Sequence, residues 1–245
     1  MVASRTALAY YPAQTIRMKS EAIKIQVNDR ESVTALLYLA PKLKRAGVTI
    51  VLGHGAGANQ LSGFMTMAAA AMAARGFDAM TFNFLYTEHG RKIPDQKAKL
   101  EACYQAVIEA ARKHRKLKTN RLLIGGKSMG GRIASQVAAG GAEGIDGLVF
   151  LGYPLHPPGR PEKLRADHLK NIHAPMLFCQ GARDAFGTEK EIRAIIRKLR
   201  LPAKLFVIES GDHSFKIPKS LGPQEKIYED VMDEVARWIK SEVTV

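Results

Sequence analysis

The sequence predicts an α/β protein: a mostly parallel, doubly wound sheet with helices on both faces and no large cap domain. Three observations carry that expectation. Short apolar runs alternate with longer stretches of helical periodicity along the chain. Several of those runs are continuously apolar, as strands buried on both faces are. No composition break or repeat interrupts the 245 residues, which fits one domain over 21–245 after an N-terminal extension over 1–20.

Taken in order, AIKIQV (22–27) and VTALLYL (33–39) flank the turn-forming NDRES and predict a hairpin that opens the sheet. VTIVLGHG, from Val48, predicts a fully buried strand, and the alanine- and methionine-rich stretch 63–75 a helix ended by Gly76. AMTFNF (79–84) predicts the next strand. After a basic loop, a long helix starts at Asp95, with Leu100, Cys103, Val107 and Ala111 along one apolar face. RLLIGG (121–126) precedes a helix that runs through Ala139. GLVFLG (147–152), MLFCQG (176–181) and KLFVIE (204–209) are the later strands, with helices from Thr188 and over 224–240.

Bulk composition excludes several classes. The two cysteines, Cys103 in a helical pattern and Cys179 in a strand, predict buried reduced thiols, and no Cys/His spacing matches a structural zinc site. No run is long and apolar enough to span a bilayer. The N-terminal stretch has no sustained apolar run before its first charges, as a secretory signal requires. Arg5, Arg17 and Lys19 do precede the first acid, Glu21, as in a transit peptide, but serine and clear amphipathy are lacking, so cytoplasm is the default expectation. A formal charge of +14 invites a nucleic-acid reading. The cations are scattered, however, and RKHRKLK (112–118) ends a helix, where positive charge offsets the dipole; a solvated basic surface is the simpler account.

In a doubly wound sheet, chemistry collects at the carboxyl ends of the strands. After RLLIG stands Gly126-Lys127-Ser128-Met129-Gly130, a G-x-S-x-G that places a serine on a sharp strand-to-helix turn. Gly126-Lys127-Ser128 also resembles the end of a phosphate-binding loop. That motif needs glycine where this chain has Arg121 and a flexible loop where it has an apolar strand. Asp184 follows MLFCQG and His213 follows KLFVIE, giving serine, acid and histidine in order on successive late strands. Chemistry then assigns the roles: Ser128 as nucleophile, His213 as the base that takes its proton, and Asp184 as the acid that orients the imidazole. Asp212, although next to His213, points elsewhere on ordinary backbone and ranks below Asp184.

Gly53-His54-Gly55-Ala56-Gly57-Ala58 follows VTIVL. Ala56 first, then Gly57, is expected to join Met129 in offering backbone N–H groups to an oxyanion. The same glycines fit G-x-G-x-x-G/A, yet no well-placed acid ends the next strand, and a dinucleotide site leaves the serine turn unexplained. No cofactor motif survives this reading.

HGAGAN, GGKSMGGR, GYPLHPPGRPEKLRADHL and QGARDAFGT together resemble the KANL3/Tex30-like branch of the α/β-hydrolases, a group related to dienelactone hydrolases. The resemblance covers roughly residues 47–240. It implies the α/β-hydrolase fold, the triad positions named above and a hydrolase activity without a defined substrate. Dienelactone hydrolases proper use cysteine as nucleophile, so their substrate does not carry over. Eukaryotic members act as subunits of a chromatin-modifying assembly, which sets a non-catalytic scaffold beside the enzyme reading.

Between Gly152 and Ala174, where many relatives insert a lid, the segment is short and stiffened by Pro154, Pro157, Pro158 and Pro161. An open cleft follows, with His54, Tyr153, Leu155 and His156 along its wall. Short carboxylic esters or thioesters suit such a cleft better than long-chain lipids. The expected partner is a small ester-type substrate, with no metal, membrane or nucleic acid.

Overall fold

The structure, a computed structural model, describes residues 18–244. The extension expected over 1–20 therefore lies almost wholly outside the described residues, and the first strand already begins at Ser20.

Eight strands form one sheet: β1 (Ser20–Gln26), β2 (Ser32–Tyr38), β3 (Val48–Gly53), β4 (Asp78–Phe82), β5 (Arg121–Lys127), β6 (Gly147–Leu151), β7 (Met176–Gly181) and β8 (Ala203–Ile208). Their spatial order is β1-β2-β4-β3-β5-β6-β7-β8. The opening hairpin pairs antiparallel, β2 meets β4 antiparallel, and every other pair is parallel. The chain steps from β3 outward to β4, then crosses back to the other side of β3 as β5. This reversal opens a crevice beyond the carboxyl ends of β3 and β5.

Helices α1 (Gly63–Ala74), α2 (Leu85–Glu88), α3 (Lys97–Lys113), α4 (Met129–Ala139), α5 (Glu189–Leu199) and α6 (Gln224–Glu242) cover the sheet. One core layer packs α3, α4 and α5 against it through Tyr104, Val107, Ile133 and Ile192. The opposite layer packs α1 and α6 through Met65, Ala69, Met72, Val235 and Trp238. Strands β3, β4, β6 and β7 are buried along their whole length, as their continuous apolar runs require. Burying a side chain such as Phe150 or Phe178 in this way contributes about 1.5–3 kcal/mol. Both cysteines are free and buried.

Several boundaries differ from expectation by one or two residues, and two of them lie beside the site. The strand expected over 79–84 stops at Phe82, and the single turn α2 follows. Helix α3 starts at Lys97 rather than at Asp95. Arg91 holds the Asp95 carboxylate at 2.6 Å, so that side chain is drawn back to the loop instead of capping the helix. Between β6 and β7 only a 3₁₀ turn forms, Asp167–Asn171, and no large cap covers the sheet. Among the described residues no helix is long and apolar enough to cross a membrane.

Candidate active site

The serine turn is built by close backbone contact between β3 and β5. Their parallel register sets Gly53 against Gly126. A Cβ on Gly126 would lie 2.1 Å from the Gly53 carbonyl oxygen, and one on Gly130 would lie 2.0 Å from the same atom. Only glycines let the turn sit this close to β3. Ser128 between them adopts φ 52° and ψ −116°, a strained conformation for a residue with a side chain, and immediately precedes α4. Its hydroxyl is thereby lifted off the sheet at the helix N-terminus.

Two further strand ends deliver the partners. His213 Nε2 lies 2.8 Å from Ser128 Oγ, and His213 Nδ1 lies 2.7 Å from Asp184 Oδ2. The structure thus brings Ser128, His213 and Asp184 into one hydrogen-bonded line. Asp184 is fully buried. Its Oδ1 accepts from the Phe186 N–H at 2.8 Å, and its Oδ2 also accepts from Gln180 Nε2 at 2.8 Å. With its acceptor sites filled in this way, the buried carboxylate is held as an acceptor for the imidazole. Asp212 does separate work: its Oδ1 accepts from the N–H groups of Ser214 and Lys216, forming the turn that carries His213.

Ala56, Ser128 and Met129 line one open depression of about 240 Å³. Met129 opens α4, so its N–H has no intrahelical acceptor. The loop after β3 turns at Gly55–Ala58, closed by the Ala58 N–H donating to the Gly55 carbonyl, with Gly57 at φ 72°. Positive φ at the second central position is a glycine requirement of a type II turn. Gly57 itself has its backbone beside the Tyr86 phenol rather than in the depression.

The four residues expected along the cleft wall stand behind it instead. His54 is fully buried; its Nδ1–H donates to the Gly55 carbonyl at 2.8 Å, while Nε2 faces the Phe84 N–H and the Thr87 hydroxyl, each at 3.3 Å. Tyr153 is buried, and its hydroxyl donates to the Arg165 carbonyl at 3.0 Å. Leu155 is 1 % exposed and belongs to the core. His156 is buried with Nε2 3.1 Å from Glu191 Oε1, which ties the loop to α5. The physical reason is shared: without a lid to cover them, large side chains from these loops fold inward and anchor them.

The wall consists of Pro94, Leu100, Pro154 and Phe186, with Lys97, Arg132 and Arg165 as its cations and Asp95 as its acid. Sequence reasoning missed Gln180, Lys127 and Phe186. The Phe186 ring lies 4.2 Å from that of His213, centroid to centroid. A signal for Gln180 was present: an amide closing an otherwise apolar buried strand needs partners. Among the described residues no group of three or more His, Cys, Asp or Glu could hold a metal ion.

Solved structures with this architecture are numerous, and three of them show how far the likeness extends. An alpha-beta serine hydrolase homologue from Coxiella burnetii is 19% identical, with a TM-score of 0.71 over 89% of this chain and 96% of that one. A dienelactone hydrolase from Anabaena variabilis is 17% identical, with a TM-score of 0.73 over 92% and 99%. A protein from Xanthomonas campestris, described as an a/b serine hydrolase without lid, is 18% identical, with a TM-score of 0.72 over 96% and 98%. At these identities the likeness shows the fold. The model of the alpha/beta hydrolase domain family matches residues 46–240, most of the chain and every strand from β3 onward, and the protein belongs to that family.

Proposed function

We propose that this protein is a serine hydrolase that cleaves small carboxylic esters or thioesters through an acyl-enzyme on Ser128. The observation that carries the reading is the bridging imidazole, His213, 2.8 Å from Ser128 Oγ and 2.7 Å from Asp184 Oδ2. As Ser128 Oγ attacks the carbonyl carbon, its proton passes to His213 Nε2, and Asp184 stabilises the imidazolium. The carbonyl oxygen becomes an oxyanion facing the N–H groups of Ala56 and Met129, while Gly57 shapes the turn that presents Ala56. Collapse breaks the ester bond, and the leaving group takes the proton from His213. Water then repeats the cycle: His213 removes its proton, the hydroxide displaces the acyl group as a carboxylic acid, and Ser128 regains its hydrogen. The absence of a large cap favours short substrates.

Neighbours described as serine hydrolases and esterases support the reaction class. The four sequence motifs favour the KANL3/Tex30-like branch. One domain over residues 21–245 is part of the same reading.

Fluorophosphonate labelling followed by mass spectrometry tests it. The wild type acquires one adduct, on Ser128, and the Ser128→Ala variant none. Folded wild-type protein that stays unlabelled overturns the assignment and leaves the non-catalytic reading of the fold.

A further inference from the structure

The depression beside Ser128 carries more positive charge than the proposed acyl chemistry uses. Arg132 lies one helical turn past the nucleophile: its N–H donates to the Ser128 carbonyl at 3.1 Å. Arg165 comes from the loop between β6 and β7. Its backbone is fixed on both sides, the N–H donating to the Leu155 carbonyl at 2.8 Å and the carbonyl accepting from the Tyr153 hydroxyl at 3.0 Å. Both residues line the same depression as Ser128 and Met129.

Among the described residues no ion pair reaches Arg132 or Arg165. The acid that acts on Arg132 is Glu101, beyond ion-pair distance and shared with Lys97. Arg132 has only a long contact to Gln136 Oε1, 3.4 Å, and its Nε is buried without an acceptor. Burial, and after it the charge of Arg165, push the Arg132 guanidinium downward. The acid of the lining, Asp95, is taken by Arg91 at 2.6 Å, with its second oxygen buried and without a partner. Lys97 faces Glu101 at 3.5 Å in an exposed pair of the kind that contributes little. The charge of Arg165 acts against the Arg132 guanidinium, no ion pair offsets it, and a bound oxyanion relieves it. The planar fork of arginine matches carboxylate and phosphate oxygens two at a time.

We propose that the substrate is an ester or thioester bearing an anionic oxyacid group, a carboxylate or a phosphate, which Arg132 and Arg165 hold while Ser128 attacks its carbonyl. Leu100, Pro94, Pro154 and Phe186 border the space for the short apolar stretch between the two groups. The inference rests on the serine-hydrolase reading for its reacting centre, whereas the anion site stands on the arginines alone.

The test compares mono-(4-nitrophenyl) glutarate with its neutral methyl ester as substrates of the full-length protein. The expected kcat/KM is at least about tenfold higher for the anionic ester, the scale of one charge-assisted hydrogen bond. Arg165→Gln lowers that ratio about tenfold, Arg165→Lys restores part of it, and raising the salt compresses it. Equal rates for the two esters on labelled, active enzyme overturn the proposal. Calorimetry on Ser128→Ala with monomethyl glutarate and with methyl phosphate reads the site without catalysis. Binding of the first assigns a carboxylate, binding of the second a phosphate, and binding of neither overturns the inference. Should wild type resist the fluorophosphonate and leave both esters intact, the hydrolase reading fails, and the calorimetry still decides the anion site.

Discussion

Lys127 Nζ donates to the backbone carbonyl of His213 at 2.6 Å, so the variable residue of the serine turn clamps the loop that brings the histidine to it. The ammonium sits over Gly152, where a Cβ would come within 2.8 Å of it, and lies 5.4 Å from the Phe215 ring centroid. No flexible lysine on an open surface is held this way. The contact couples two of the strand ends that assemble the site, β5 and β8.

Replacing Lys127 with methionine leaves the His213 carbonyl without this donor and frees the histidine loop. We expect kcat on a 4-nitrophenyl ester to fall roughly tenfold to a hundredfold while KM changes little, because positioning is lost and substrate contacts are kept. Lys127→Arg keeps a donor and recovers part of the rate. Steady-state kinetics on the two variants decide it, and equal losses in both would reduce the residue to packing.

The same lysine makes stability depend on alkaline pH. Burial pushes it from 10.5 down to about 8, against the attraction of Asp184 and Asp212. Between those two values the unfolded chain binds a proton that the folded protein does not, so stability rises with pH across the window. It is lost again as pH falls through about 8. The gain is at most about 3 kcal/mol. Urea unfolding at several pH values from 7 to 10 should show this rise in the wild type and its absence in Lys127→Met.

Gln180 donates to Asp184 Oδ2, the same oxygen that faces His213, and to the Gly187 carbonyl at 2.7 Å. Its own oxygen accepts from the Tyr153 N–H at 2.8 Å. Gln180→Leu strands all these buried groups, each at a cost of about 1–3 kcal/mol. We expect a lower urea midpoint and at least a tenfold loss of kcat. Full activity with unchanged stability would show that Asp184 needs no such support.

The alternation of apolar runs sufficed to foresee the sheet, because a strand buried on both faces has few other ways to satisfy its composition. The hydrogen-bonded line of Ser128, Asp184 and His213 was legible for a related reason: each residue follows the carboxyl end of a strand, and parallel strands bring those ends together. The cleft wall was not legible. Tyr153 and His156 look like wall residues by position in the chain, yet each turns inward to a carbonyl or a carboxylate. Such choices depend on loop paths that periodicity does not encode. Arg132 and Arg165 lie far apart in sequence, and only the folded loop between β6 and β7 brings their charges together.

His54 gives the fold a built-in acid limit. Its Nδ1–H donates to the Gly55 carbonyl, and its Nε2 must stay unprotonated to accept from the Phe84 N–H and the Thr87 hydroxyl. These bonds tie the turn carrying Ala56 to the chain that follows β4. Full burial pushes the imidazole from 6.5 down to about 4, with the Gly55 bond opposing only in part. Above 6.5 the ring is neutral in both states. As pH falls from there through about 4, the unfolded chain takes up a proton that the folded protein refuses, and up to about 3 kcal/mol of stability is lost. His168, half-buried and lowered to about 4 mainly by desolvation, adds a smaller loss in the same direction. Urea unfolding of wild type and His54→Gln at pH 7.5, 6, 5 and 4.5 isolates the buried ring. The variant starts less stable and loses less on acidification; parallel pH profiles would mean that the acid limit lies elsewhere.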